Sequence, residues 1–122
     1  MAAPNIIGAT TIYGKTTGTS LTTGTITVLN NASNSGKCLK VNTLNVANYG
    51  STATYVTVGW YNAANISGTS YNIVGNVAVP GNSTLNIIDK TSQYYLEENQ
   101  SLGASAGTAN SLVVTCSYED IS

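Results

Sequence analysis

Glu97 and Glu98 are the residues in this chain whose type and spacing first suggest chemistry. They lie in "QYYLEENQSLGASAG", Gln93 to Gly107, and are two of only five carboxylate side chains among 122 residues. Paired carboxylates act as acid and base in glycoside hydrolysis. On a strand, however, adjacent side chains project to opposite faces and cannot flank one bond. In a turn both would face water, and the Asn-Gln-Ser that follows favours a turn. The pair therefore reads as a strand end and a surface turn. Asp89, Glu119 and Asp120 complete the acidic inventory. A calcium loop alternates Asp and Asn ligands along one segment, and no segment here does so.

Composition narrows the chemistry further. The chain has no histidine and no arginine. Catalysis by Ser-His-Asp or Cys-His is thereby excluded, as is bidentate anion recognition by arginine. Neither a phosphate-binding loop nor a dinucleotide fingerprint is present. The expectation is a protein that is not an enzyme, with no catalytic, metal or cofactor-binding residues. Four lysines and a formal net charge of -1 leave no footprint for nucleic acid. Apolar runs of only a few residues give no membrane span. The opening "MAAPNIIGATTIYGKTTGTS" lacks the charged start and long apolar core of a signal peptide, so cytoplasmic synthesis is expected. For Cys38 and Cys116, far apart in sequence, buried free thiols are expected, with a single disulfide as the alternative. Sequons at Asn31, Asn65, Asn82 and Asn99 mark loops.

The elements that must carry these residues are strands. Thr, Val, Ile and Tyr favour strands while Ser, Asn and Gly favour turns, and no segment shows helical periodicity. "TITVLN" places Ile26 and Val28 on one face. In "KCLKVNTLNVAN", Leu39 and Val41 are out of phase with Leu44 and Val46, which predicts a bulge or bend near Asn42–Thr43. Val56, Val58 and Trp60 share a face that points to the core. Because there is no phenylalanine, Trp60 and some tyrosines are expected to supply the large core side chains. Exposed aromatic rows would instead suggest sugar binding, centred on Trp60 or Tyr61. Tyr71, Ile73, Val77 and Val79 read as a returning strand with a kink at Gly75, and Leu112, Val114, Cys116 and Tyr118 as the last core strand. The whole reads as all-β: a single-domain antiparallel β-sandwich over residues 1–122, immunoglobulin-like or jelly-roll, with seven to nine strands. "NIIGATTIYG", Asn5 to Gly14, counts as one of those strands, while "GKTTGTSLTTG" is poor in apolar residues and reads as a long loop or an arm, with residues 1–20 as the candidate N-terminal arm.

Three stretches carry a family resemblance. "MAAPNIIGATTIYGKT", "VTVGWYNAANISGTSYNIVGNVAVPGNSTLNIIDK" and "YYLEENQSLGASAGTANSLVVTCSYEDIS" resemble small virion structural proteins of tailed phages, of the marine cyanophage type. The shared signatures are "VPxNSTL", "YLEExxSL" and a terminal "SYEDIS"; the family's common Gly-Asp is replaced here by Asn99–Gln100. The resemblance implies a bacteriophage structural protein located in the virion, with capsid decoration as the first role. A neck, fibre or tail attachment piece, or a glycan-binding host-adhesion domain, is the alternative. It implies other virion proteins as partners, the major capsid protein foremost, with self-association also open. The docking element expected on this reading is Ala2, Ala3, Pro4, Asn5, Ile6, Ile7 and Ile12.

Overall fold

A computed structural model describes residues 5–122. Nine strands follow a short 3-10 turn at Ile6–Gly8: β1 (Ile12–Ser20), β2 (Ile26–Asn31), β3 (Cys38–Asn48), β4 (Thr54–Ala63), β5 (Ser67–Val79), β6 (Ser83–Ile88), β7 (Tyr94–Leu96), β8 (Gln100–Ala106) and β9 (Leu112–Ile121). One sheet has the order β1-β9-β3-β6, with β7 also paired to β3; the other has the order β2-β8-β4-β5. All pairings are antiparallel. Apart from the β4–β5 hairpin and the step from β6 to β7, each consecutive pair of strands crosses between sheets. This is the strand order of a jelly roll.

Between the sheets lies an aliphatic core. Leu21, Val41, Leu44, Val46, Val56, Val58, Val79, Leu96, Leu102 and Leu112 are fully buried, with Ala104 and Ala106 beneath them. The large aromatics do not fill it as expected. Trp60 points inward in phase with Val56 and Val58 but is only half-buried, and Tyr13, Tyr49, Tyr55, Tyr71, Tyr94 and Tyr95 are exposed. Mid-sized branched side chains are enough to close the narrow gap between two sheets, and a tyrosine hydroxyl keeps its hydrogen bonds by facing water.

Two out-of-phase strands resolve through bulges. On β3, the register against β9 shifts between Val41 and Thr43, so Asn42 is the extra residue, and Leu39, Val41, Leu44 and Val46 all turn inward. On β5, Val74 and Val77 face Val58 and Val56, so Gly75 and Asn76 together oppose Thr57, one residue in excess, with Asn76 at φ 53°. Another bulge lies beyond the simple alternation read in "TITVLN". The register of β2 against β8 shifts between Thr27 and Leu29, so consecutive Val28 and Leu29 are both buried.

Of the strand expected over Asn5–Gly14 only Ile12–Gly14 is strand, since Ile6–Gly8 forms a 3-10 turn, and residues 12–20 are not a free arm. Ile12–Ser20 pairs along its whole length with β9 and forms an edge strand of the chain's own sheet. Its side chains are exposed or at most half-buried, so it carries almost none of the apolar alternation that marks a strand in sequence. Turn chemistry explains the abundance of asparagine. Asn34, Asn65, Asn76, Asn82, Asn99 and Asn110 have positive φ, and among the described residues Ile66 is the one other non-glycine residue that does. Asn31 departs from the expectation that every sequon is a loop: it ends β2, is buried, and donates through Nδ2 to Lys37 O and Leu96 O at 2.9 and 3.0 Å.

Candidate interaction surface

The structure disperses the acidic residues that sequence spacing brought together. Leu96 ends β7, and Glu97 and Glu98 lie in the half-buried turn before β8. Glu98 Oε2 accepts from the Gly36 N–H at 2.9 Å, and Gln100 Oε1 accepts from the Glu97 N–H at 2.9 Å. The turn is thus fastened to the β2–β3 turn, which is a structural use of Glu98. Asp89 caps its own turn by accepting from Thr91 N and Thr91 Oγ1, and those bonds hold its carboxyl below its ordinary pKa. Glu119 accepts from Asn42 Nδ2 at 2.9 Å, beside the β3 bulge. Among the described residues no three His, Cys, Asp or Glu side chains converge as metal ligands would.

Asp120 is the exception in burial. Its side chain is 5% exposed, and Oδ2 accepts from Lys15 Nζ at 2.8 Å and Lys37 Nζ at 3.3 Å. The Lys15 hydrogen bond, then that of Lys37, pulls the Asp120 pKa down, while its desolvation opposes them; the same contact raises the pKa of Lys15. Lys15 belongs to β1, Lys37 to the β2–β3 turn and Asp120 to β9. One carboxylate therefore ties three elements together at one end of the sandwich. The cysteines lie elsewhere in the same sheet. Cys38 faces Ile121 and Cys116 faces Leu44, so the two thiols are separated by several residues along the sheet, and both are free and buried. Burial pushes Cys116 up to about 12, and burial, reinforced by Glu97, raises Cys38.

Exposed apolar side chains gather at the N-terminal segment. Ile7 is 98% exposed, with Ile6 at 39%, Ile12 at 59% and Tyr13 at 58%. The base of this segment is fixed. Thr10 N and Thr11 N donate to Ser122 O at 2.7 and 2.9 Å, Ser122 N donates to Thr11 O at 2.9 Å, and the hydroxyls of Thr11 and Ser122 share a hydrogen bond of 2.7 Å. Beside it runs an open groove of about 270 Å³, lined in part by Asn5, Ile6, Gly36, Lys37, Glu98 and Ile121. Of the residues expected to dock a partner, Asn5, Ile6 and Ile7 lie in this segment. Ile12 opens β1 and pairs with Ile121. Ala2, Ala3 and Pro4 lie outside the described residues.

Trp60, the residue on which sugar binding would centre, meets Tyr71 with ring centroids 5.5 Å apart and planes tilted by 33°, and its Nε1 donates to Gln100 Oε1 at 3.4 Å. Tyr61 lies instead on the other face of β4, against Gly103.

No protein-family model matches the chain, and no curated protein matches it. Among solved structures it is similar to a chain described under "Bacillus endospore appendages form a novel family of disulfide-linked pili". The two share 10% identity with a TM-score of 0.53, over 100% of this chain and 96% of that one. At that identity the likeness concerns the fold.

Proposed function

We propose that this chain is a non-enzymatic structural protein of a virion, a decoration protein that docks on the outside of a tailed-phage head through its N-terminal segment. The observation that carries this reading is the set of exposed isoleucines, Ile6, Ile7 and Ile12, on a segment whose base is clamped to the C-terminal strand. An isoleucine left 98% in water has a use when a partner covers it. The resemblance of the N-terminal, central and C-terminal stretches to small virion proteins supplies the partner class, with the major capsid protein first. Many copies on one shell would turn modest individual contacts into net shell stabilisation, provided they bind the assembled form preferentially.

The pilus likeness concerns the fold alone and brings no role to this chain. Disulfide linkage of the kind named for that family would need surface thiols, and Cys38 and Cys116 are both buried.

The test is co-sedimentation of purified protein with expanded heads of the tailed phage that encodes it. Wild-type protein is expected to pellet with the heads, and both Ile7→Asp and a chain lacking residues 1–9 are expected to stay in the supernatant while keeping the wild-type thermal transition. Attachment to tails or necks but not heads would move the protein to another place on the particle. Undiminished head binding by the truncated chain would end the proposed docking role. A sugar array on which wild-type protein binds and Tyr71→Ala does not would favour adhesion instead.

A further inference from the structure

We infer that β1 is a self-pairing edge, through which two copies of this chain join as a two-fold dimer with a continuous sheet. This rests on the geometry of β1 alone and is independent of where the protein works. Thr11 and Ser122 exchange both main-chain hydrogen bonds, and Leu21 N donates to Leu112 O at 2.9 Å. Between these points the β1–β9 register runs without a shift. Odd-numbered residues of β1 therefore direct their N–H and C=O groups to β9, and Ile12, Gly14, Thr16, Gly18 and Ser20 direct theirs away from it. Among the described residues nothing pairs with that outer row.

The other edges carry devices that block strand addition; β1 does not. The register of β2 breaks at Val28, β5 breaks at three places and twists at Asn76, and β6 and β7 are only six and three residues long. β1 runs nine residues without a bulge or a proline. Its one charge, Lys15, is bent onto Asp120 of its own chain. The face carrying the outward residues holds Gly14, Thr16, Gly18 and Ser20, which leave room for a neighbouring backbone.

Self-complementarity selects the occupant and the register. An antiparallel pair centred on Thr16 sets Thr16 against its own copy, Gly14 against Gly18 and Ile12 against Ser20. All five outward residues then bond, and Lys15 faces Thr17. Shifting the sum of paired numbers down by two would put Lys15 opposite Lys15, which like-charge repulsion disfavours. The centred register joins two four-strand paths, β6-β3-β9-β1, end to end. Such an interface is isologous and closes at two copies.

Sedimentation and hydrogen exchange test this. Wild-type protein is expected to sediment as a dimer, with slow exchange at the Gly14, Thr16 and Gly18 amides. Thr16→Lys places two charges in direct opposition and is expected to weaken association roughly tenfold at low salt, with those amides exchanging fast. Thr16→Glu alone is expected to do the same, and mixing the two variants is expected to restore the dimer. Thr16 is exposed, so monomer melting should not change. A wild-type protein that stays monomeric at its highest soluble concentration overturns the inference. So does a Thr16→Lys dimer of undiminished stability, or a mixture of the two variants that does not associate.

Discussion

At the scale of single residues, close contacts and buried charge set the consequences. Gly103 lies in the middle of β8, between β2 and β4. A Cβ there would meet Ile66 Cγ2 at 2.8 Å, with Thr25 Cγ2 and Tyr61 Cε1 at 3.0 Å. Gly103→Val is expected to destabilise the fold by about 1–3 kcal/mol, read from urea unfolding. Ile66 itself sits at φ 49° in the turn closing the β4–β5 hairpin, a conformation unfavourable for a β-branched residue. Trimming it in Ile66→Ala should offset part of the cost of Gly103→Val, because both act at one contact; a double-mutant cycle measures the coupling. Asp120 supplies a pH dependence. Its folded pKa is depressed, so its contribution is complete above the ordinary carboxylate range and is lost as pH falls through the lower folded value. Lys15 is raised, so its contribution is complete below the ordinary lysine pKa and is lost as pH climbs through the folded value. Hydrogen exchange at β1 is therefore expected to accelerate at both extremes, and Asp120→Asn should remove the acid limb. Neither thiol is expected to react with alkylating reagents at neutral pH until the protein unfolds, since thiolate is the reactive form and burial opposes it.

The elements show what the sequence made legible and what it concealed. The phase conflict in "KCLKVNTLNVAN" predicts a bulge because two buried pairs cannot otherwise share a face, and Asn42 is that bulge. Deleting Asn42 would leave Leu39, Val41, Leu44 and Val46 in one unbroken alternation, so all four stay buried and only the bend and the Asn42 side-chain bonds to Glu119 and Gln93 are lost. Thermal unfolding is expected to show a small cost, about 0.5–1.5 kcal/mol per lost bond, with the fold kept. The strand at Ile12–Ser20 was hidden for the opposite reason. An edge strand held by main-chain bonds and one ion pair, with little side-chain burial, writes no hydrophobic pattern. Glu98 was likewise half-legible: alternation and turn residues discount it as a catalyst, but its bond to the Gly36 amide depends on two distant turns meeting.

For the molecule as a whole, strand-rich composition and turn spacing give the sandwich, while the jelly-roll order comes from pairings among residues far apart in the chain, such as β1 with β9. No local pattern encodes which strand crosses the core to which neighbour. The exposed segment before β1 was legible as apolar residues in a chain with few charges. Its anchoring to Ser122 was not, because the clamp is made from main-chain groups and hydroxyls at opposite ends of the sequence. At this scale the expected outcome is separable behaviour: loss of residues 1–9 removes shell attachment, and charge at Thr16 removes self-pairing, each without unfolding the domain. Electron cryomicroscopy of intact particles, with this sandwich placed in the density, checks both together.

The clamp between Thr10–Thr11 and Ser122 also makes the chain nearly a ring. A short linker from Ser122 to Asn5 would close it, and new ends could be opened in the exposed Gly107–Asn110 turn, which precedes β9 while Ser122 follows it, at the opposite end of that strand. Such a circular permutant would bury its former N-terminal segment inside a tether while keeping every strand pairing. A cargo protein fused at the new ends would emerge away from the isoleucines, whereas one fused to Ser122 would sit beside them.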